Sequence, residues 1–166
     1  MSSCNLSKFP DFLANQNELE KLELNNNYIH GQVPKWFWNV TIESLKSIIL
    51  SNNFLTNLSQ HTMPLSWTHL AILDISSNKL QGSLPIPSFS TLQYHVSNNS
   101  FIGQILELIC NMSCLQILDL SENNLSNSLP QCLHNFDDSA HIGYTEEQFR
   151  RKHPTNLDKW KKIIDD

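Results

Sequence analysis

The sequence predicts an α/β repeat solenoid. Its coils carry a parallel β-sheet on the concave face and short helical, 3-10 or irregular segments on the convex face. Three observations predict it. Leu115-x-x-Leu118-x-Leu120-x-x-Asn123-x-Leu125, with Leu129-Pro130 six and seven residues after the asparagine, begins again at Leu19, Leu45 and Leu70. The asparagines Asn27, Asn53, Asn78, Asn99 and Asn123 follow one another at 26, 25, 21 and 24 residues, a period typical of stacked repeats. The apolar residues hold one phase from copy to copy, which an unrelated α/β domain with chance leucine spacing would not do.

The chain opens partway through a coil. Cys4 lies 23 residues before Asn27, so it takes the asparagine position and is expected to pack there as a small buried group. Residues 10–15 then form that coil's outer, loosely helical half. The first full repeat runs Leu19, Leu22, Leu24, Asn27, Ile29, Gly31, Val33-Pro34. The second runs Leu45, Ile48, Leu50, Asn53, Leu55, with Asn57-Leu58-Ser59 in place of Gly-x-Val-Pro. The third runs Leu70, Leu73, Ile75, Asn78, Leu80, Gly82, Leu84-Pro85. The fourth keeps Asn99, Phe101, Gly103 and Ile105, but Leu92 to Val96 reads as one residue short.

Each position has a physical task. A Leu-x-Leu pair alternates as a strand does, one set of side chains inward and the other outward. An asparagine where the chain leaves the strand offers two donors and an acceptor to buried backbone groups of neighbouring coils. Gly31, Gly82 and Gly103 permit backbone conformations that other residues resist, and Pro34, Pro85 and Pro130 set the next extended segment. A covered leucine contributes about 1.5–3 kcal/mol, but only when a neighbouring coil supplies the cover.

Composition narrows the function. A net charge of −5 gives no reason to expect nucleic acid or an acidic membrane surface. Residues 1–136 hold nine acids and five lysines, whereas 137–166 hold seven acids and six basic residues, a shift that predicts a boundary near Phe136. Beyond it the repeat pattern is absent, and Thr145 and Thr155 open two candidate short helices separated by Pro154. No basic start followed by an apolar run, and no span long enough to cross a membrane, is visible.

Six N-x-[S/T] sequons, at Asn5, Asn39, Asn57, Asn98, Asn111 and Asn124, are candidates for glycosylation in a secreted chain. Asn98 and Asn124 stand beside the asparagine ladder and are expected to be crowded. Cys132 can bridge to Cys110 or to Cys114 in an oxidising compartment. A zinc site from Cys110, Cys114, Cys132 and His134 has a C-x3-C-x17-C-x-H spacing that matches no common pattern. The seven histidines are scattered, and no Gly-rich phosphate loop, G-x-S-x-G elbow or kinase signature occurs. The expectation is a binding module, with no catalytic residues, metal or cofactor. Asp74 and Asp119 pair at matching repeat positions, and Trp36, Phe37 and Trp38 are expected to cover the core on the convex side.

The Leu-x-Gly-x-Leu/Ile-Pro extension resembles the plant-specific leucine-rich repeat. Ser3-Cys4-Asn5-Leu6 with Phe9-Pro10, Ile29 to Asn39, and Ile109-Cys110-Asn111 are similar to ectodomains of plant receptor-like proteins of the disease-resistance type. The resemblance covers residues 1–136. It implies a right-handed superhelix outside the cell, followed in the parent protein by one membrane helix and a short tail without a kinase. It also implies an extracellular peptide, protein or carbohydrate ligand, with a co-receptor kinase as partner in defence signalling. The expected ligand-facing positions are Lys21, Glu23, Asn25; Ser47, Ile49, Ser51; Ile72, Asp74, Ser76; Tyr94, His95, Ser97; and Ile117, Asp119, Ser121. The alternatives are part of a receptor-kinase ectodomain, a secreted inhibitor of cell-wall enzymes, or a truncated product without independent function.

Overall fold

A computed structural model of the chain describes residues 1–39, 43–58, 67–126, 130–134 and 141–143. The two helices expected after Thr145 lie outside them. The inward–outward alternation of each repeat produces short strands: Lys21–Glu23 (β1), His30–Gln32 (β2), Ser47–Ile49 (β3), Phe54–Asn57 (β4), Ile72–Asp74 (β5), Gln81–Ser83 (β6), Gln93–His95 (β7), Ser100–Gly103 (β8), Ile117–Asp119 (β9), Asn124–Leu125 (β10) and His141–Gly143 (β11). β1, β3, β5, β7, β9 and β11 form one parallel sheet, each pairing with the next coil. The outer arms carry 3-10 turns at Asp11–Asn15, Lys35–Asn39, Glu107–Asn111 and Gln131–His134. This is the predicted solenoid.

A second set of parallel pairs was not signalled by the leucines. β2 pairs with β4, while β6, β8 and β10 form a three-stranded sheet. They follow the asparagines, where Gly31, Gly82 and Gly103 adopt φ of 83°, 92° and 87°. Such angles carry little cost only for glycine. The second coil has Asn57 at that place, inside β4, and the β2–β4 register shifts between Gly31 and Gln32.

The asparagine ladder is complete across five coils. Each Oδ1 accepts a backbone N–H two residues past the ladder position of the preceding coil: Leu6 to Asn27 (3.0 Å), Ile29 to Asn53 (3.0 Å), Leu55 to Asn78 (3.0 Å), Leu80 to Asn99 (3.0 Å) and Phe101 to Asn123 (3.1 Å). Each Nδ2 donates back to a carbonyl of that coil, on Met1, Leu24, Leu50, Ile75 and Val96 in turn. The buried turn groups are thereby satisfied, as a dry interior requires.

The fourth coil corrects the sequence reading. Tyr94 pairs in register with Leu73 and Leu118, and His95 with Asp74 and Asp119. The frame is therefore Thr91-x-x-Tyr94-x-Val96-x-x-Asn99, with no residue missing. Thr91, Tyr94 and Val96 are all fully buried. Leu92 was the wrong anchor because a polar residue holds the first core position. Thr91 donates its hydroxyl to the Leu70 carbonyl at 2.9 Å, so burying it leaves no donor unpaired. The short step lies in the outer arm instead.

Two other expectations change. Cys4 does occupy the ladder position, but it is exposed; its N–H is held by Asn27 Oδ1 at 2.9 Å. The sheet does not stop at Phe136: Ile142 stands opposite Leu118, 24 residues on, at the ordinary repeat step. The aromatic cluster does cover the core. Phe37 and Trp38 are buried and pack against Trp67, whose centroid lies 5.3 and 5.1 Å from theirs.

Candidate functional site

Strand alternation places three rows of side chains on the outer face of the main sheet. The pairing registers make them Lys21–Ser47–Ile72–Gln93–Ile117 and Glu23–Ile49–Asp74–His95–Asp119. Asn25, Ser51, Ser76, Ser97 and Ser121 continue two residues further along each coil. Of the fifteen predicted positions, Tyr94 is removed: it points into the core, and its hydroxyl donates to the Pro85 carbonyl. Burial raises its pKa well above the usual value, so the phenol stays neutral. Gln93 takes its place on the face.

Ser47 and Ser51 face outward by register yet are buried, 7% and 6% exposed. Ser47 is a small side chain set between Lys21 and Ile72, and its Oγ has no hydrogen-bond partner. Lys21 is engaged instead with Glu23 on its own strand, at 2.7 Å. Asp74 and Asp119 are held alike. One oxygen of Asp74 accepts the N–H and hydroxyl of Ser76, at 3.0 and 2.6 Å, and one oxygen of Asp119 those of Ser121, at 3.2 and 2.7 Å. Hydroxyl and amide donors fix each carboxylate and leave its second oxygen turned from that turn.

Cys110 is bonded to Cys132 across neighbouring outer arms, with Cα atoms 5.7 Å apart, while Cys114 is exposed and free. Among the described residues, no group of three or more His, Cys, Asp or Glu is placed to hold a metal. Asn5, Asn57, Asn98, Asn111 and Asn124 are exposed, so the crowding expected at Asn98 and Asn124 is absent. The ladder turns in at Asn99 and Asn123 and leaves their neighbours outside. The side chain of Asn39 is outside the described residues.

A family model described as Leucine Rich Repeat matches residues 18–40, 69–92 and 114–136. The coils of the solenoid are leucine-rich repeats. It is 44% identical over 133 residues to receptor-like protein 7 and 41% identical over 133 residues to receptor-like protein 6, both of Arabidopsis thaliana. Each alignment takes in 80% of this chain and 13% of the relative, so the chain spans about an eighth of those proteins' length. Among solved structures, its repeats are similar to the plant peptide hormone receptor RGFR1 in complex with RGF2. That match has a TM-score of 0.68 and 26% identity, covering 81% of this chain and 22% of that one. The BIR3–SERK2 complex from Arabidopsis thaliana gives 0.62 and 27%, covering 74% and 66%.

Proposed function

We propose that the chain is a recognition module of a plant cell-surface receptor-like protein, and that its main sheet is the face that meets an extracellular peptide or protein ligand. The reading is non-catalytic. One observation carries it above the rest: five adjacent coils present aligned rows of small, polar and aliphatic side chains over a rigid, ladder-braced backbone. Such a surface recognises by complementarity without having to order itself first. The likeness to receptor-like proteins and to a peptide-hormone receptor supports the same reading. A co-receptor kinase as partner in the parent protein follows from it. So does passage through the secretory pathway, which would form the Cys110–Cys132 bond and offer the exposed sequons to glycosylation.

The test is selection of plant extracellular peptides on the secreted full chain, with resynthesis of those retained. Ile49→Arg with Ile117→Arg should reduce their binding at least tenfold, while Phe12→Arg with Leu108→Arg, on the outer arms, should leave it unchanged. Equal binding by the two double variants would sink the assignment of the face.

A further inference from the structure

We infer that the sheet of β6, β8 and β10 is a sugar-bearing flank, on which the first N-acetylglucosamine of an N-linked glycan at Asn124 packs over Ile102. The inference rests on the passage through the secretory pathway proposed above and adds a site outside the recognition face. Strand alternation turns Ser100 and Ile102 outward and Phe101 inward, which leaves Ile102 54% exposed. In the preceding coils the apolar side chains at the start of this flank cover one another. Tyr28 stacks on Phe54 with ring centroids 6.3 Å apart, and Lys79 Nζ lies 4.9 Å over the Phe54 ring. The register partners of Ile102 are instead Ser83 on β6 and Asn124 on β10, one too short to cover it and the other polar.

A lone exposed isoleucine needs no partner; the sequon beside it names one. Asn124 opens Asn124-Leu125-Ser126 and is itself exposed. Residues in register on neighbouring strands project to the same face, so Asn124 and Ile102 stand side by side on strands about 4.8 Å apart. The backbone holds that register: Leu125 packs on the core, and the Ser126 N–H donates to the Gly103 carbonyl at 2.7 Å. Glycosylation bonds the Asn124 amide nitrogen to C1 of the sugar. The lipid pyrophosphate of the donor leaves with the C1–O electron pair, and the nitrogen releases a proton. The attached ring begins just beyond the amide, within reach of β8. One face of it is lined by C–H groups and packs on an aliphatic side chain, while its hydroxyls stay in water. Other sequons agree in position. Asn57 lies in β4 and Asn98 two residues before β8, and none of the six falls in a described strand of the main sheet. Sugar and peptide ligand thereby take different faces of the solenoid.

The experiment uses the full chain secreted from plant cells. Glycopeptide mass spectrometry reads the occupancy of Asn124, and hydroxyl-radical footprinting reads the exposure of Ile102, with Phe12 on the first outer arm as reference. Ser126→Ala removes the acceptor motif and keeps Asn124; Ser113→Ala does the same for Asn111 on an outer arm. Labelling of Ile102 should rise about twofold in Ser126→Ala, since the sugar covers one face of the side chain, and stay unchanged in Ser113→Ala. Ser126→Ala should also lower the urea midpoint by about 0.5 M, and should lower it no further in an Ile102→Ser background. An unmodified Asn124, equal labelling of Ile102 with and without the sugar, or a midpoint shift that persists in Ile102→Ser overturns the inference and leaves the recognition face standing. A sugar seated on Ile102 in a chain that retains no peptide upholds the inference and overturns the recognition face alone.

Discussion

The third and fourth coils have the same backbone and different contents. β5 and β7 pair residue for residue, and Asn78 and Asn99 make the same contacts with the coil before them. The third coil fills its inner side with Leu70, Leu73 and Ile75, the fourth with Thr91, Tyr94 and Val96. Their outer arms differ too. The third coil's arm, from Pro85 to Thr91, has no 3-10 turn and brings Asn99 only 21 residues after Asn78, whereas the fourth carries the 3-10 turn Glu107–Asn111. The turnless arm is held by hydroxyls: Ser90 to the Thr68 carbonyl at 2.7 Å, Thr91 to Leu70 at 2.9 Å, and Tyr94 to Pro85. The comparison teaches that the amide ladder and the strand register define a coil here. Leucine is one way to fill it.

The largest expected effect tests that statement at the ladder. Asn99→Leu strands the Leu80 N–H and takes one donor each from the carbonyls of Ile75, Val96 and Ser97, which keep the Asn78 amide, the Asn123 amide and the Ser77 N–H. With about 1–3 kcal/mol for the stranded N–H and a weaker loss at the three carbonyls, the total should be about 3 kcal/mol. Asn78→Leu should cost the same within about 1 kcal/mol, because its contacts are equivalent. Urea denaturation of the two variants checks it. A much milder effect in the leucine-filled third coil would mean that apolar filling, and not the ladder, holds the register.

The next effect lies in the filling itself. Tyr94→Leu restores the consensus residue but removes ring volume and leaves the Pro85 carbonyl alone, a loss of about 2–3 kcal/mol. Leu73→Tyr forces a phenol into a coil fitted to leucine and costs about 1–3 kcal/mol. Tyr94 also imposes a pH dependence. Its folded pKa is raised by burial, so the unfolded chain gives up the proton first as pH climbs. The stability it contributes is whole below about pH 10, the unfolded value, and falls as pH rises toward the raised folded one. Tyr94→Phe should flatten this alkaline decline at a fixed cost of about 1 kcal/mol near neutrality. Thermal melts from pH 7 to 11 follow both.

Legibility from sequence divides along the same line. The ladder asparagines, the strand alternation and four of the five coils are legible because leucine or isoleucine repeats there without interruption. Leu92 misleads because apolar character ordinarily marks the core, while Thr91 satisfies its hydroxyl on a backbone carbonyl that only the fold brings near. One shifted residue turned Tyr94 to the wrong face, as a period of two requires. β11 escaped notice because His141-Ile142-Gly143 carries a single apolar residue, and only its spacing from Leu118 marks it. Of the ten predicted face positions that fall in strands, nine keep the face's register, and that much was legible. The burial of Ser47 and the fixing of Asp74 by Ser76 were not, since both depend on neighbours a coil away or on turn geometry.

The smallest effect is the sharpest test of how the fourth coil replaced its leucine. Thr91→Val keeps the shape and branching of the side chain and removes only the hydroxyl. The Leu70 carbonyl then loses the Thr91 hydroxyl. Ser90 approaches the same oxygen at 3.5 Å and could move in. The expected cost is therefore about 1 kcal/mol, at the low end for a lost buried hydrogen bond. Thr91→Leu brings back the residue found at this position in the other coils, adding apolar contact but also volume. If the fourth coil were a damaged copy, Thr91→Leu would stabilise it. If it is fitted around its hydroxyls, the overpacking outweighs the transfer gain and the variant unfolds at lower urea than Thr91→Val. The order of the two midpoints decides between these accounts.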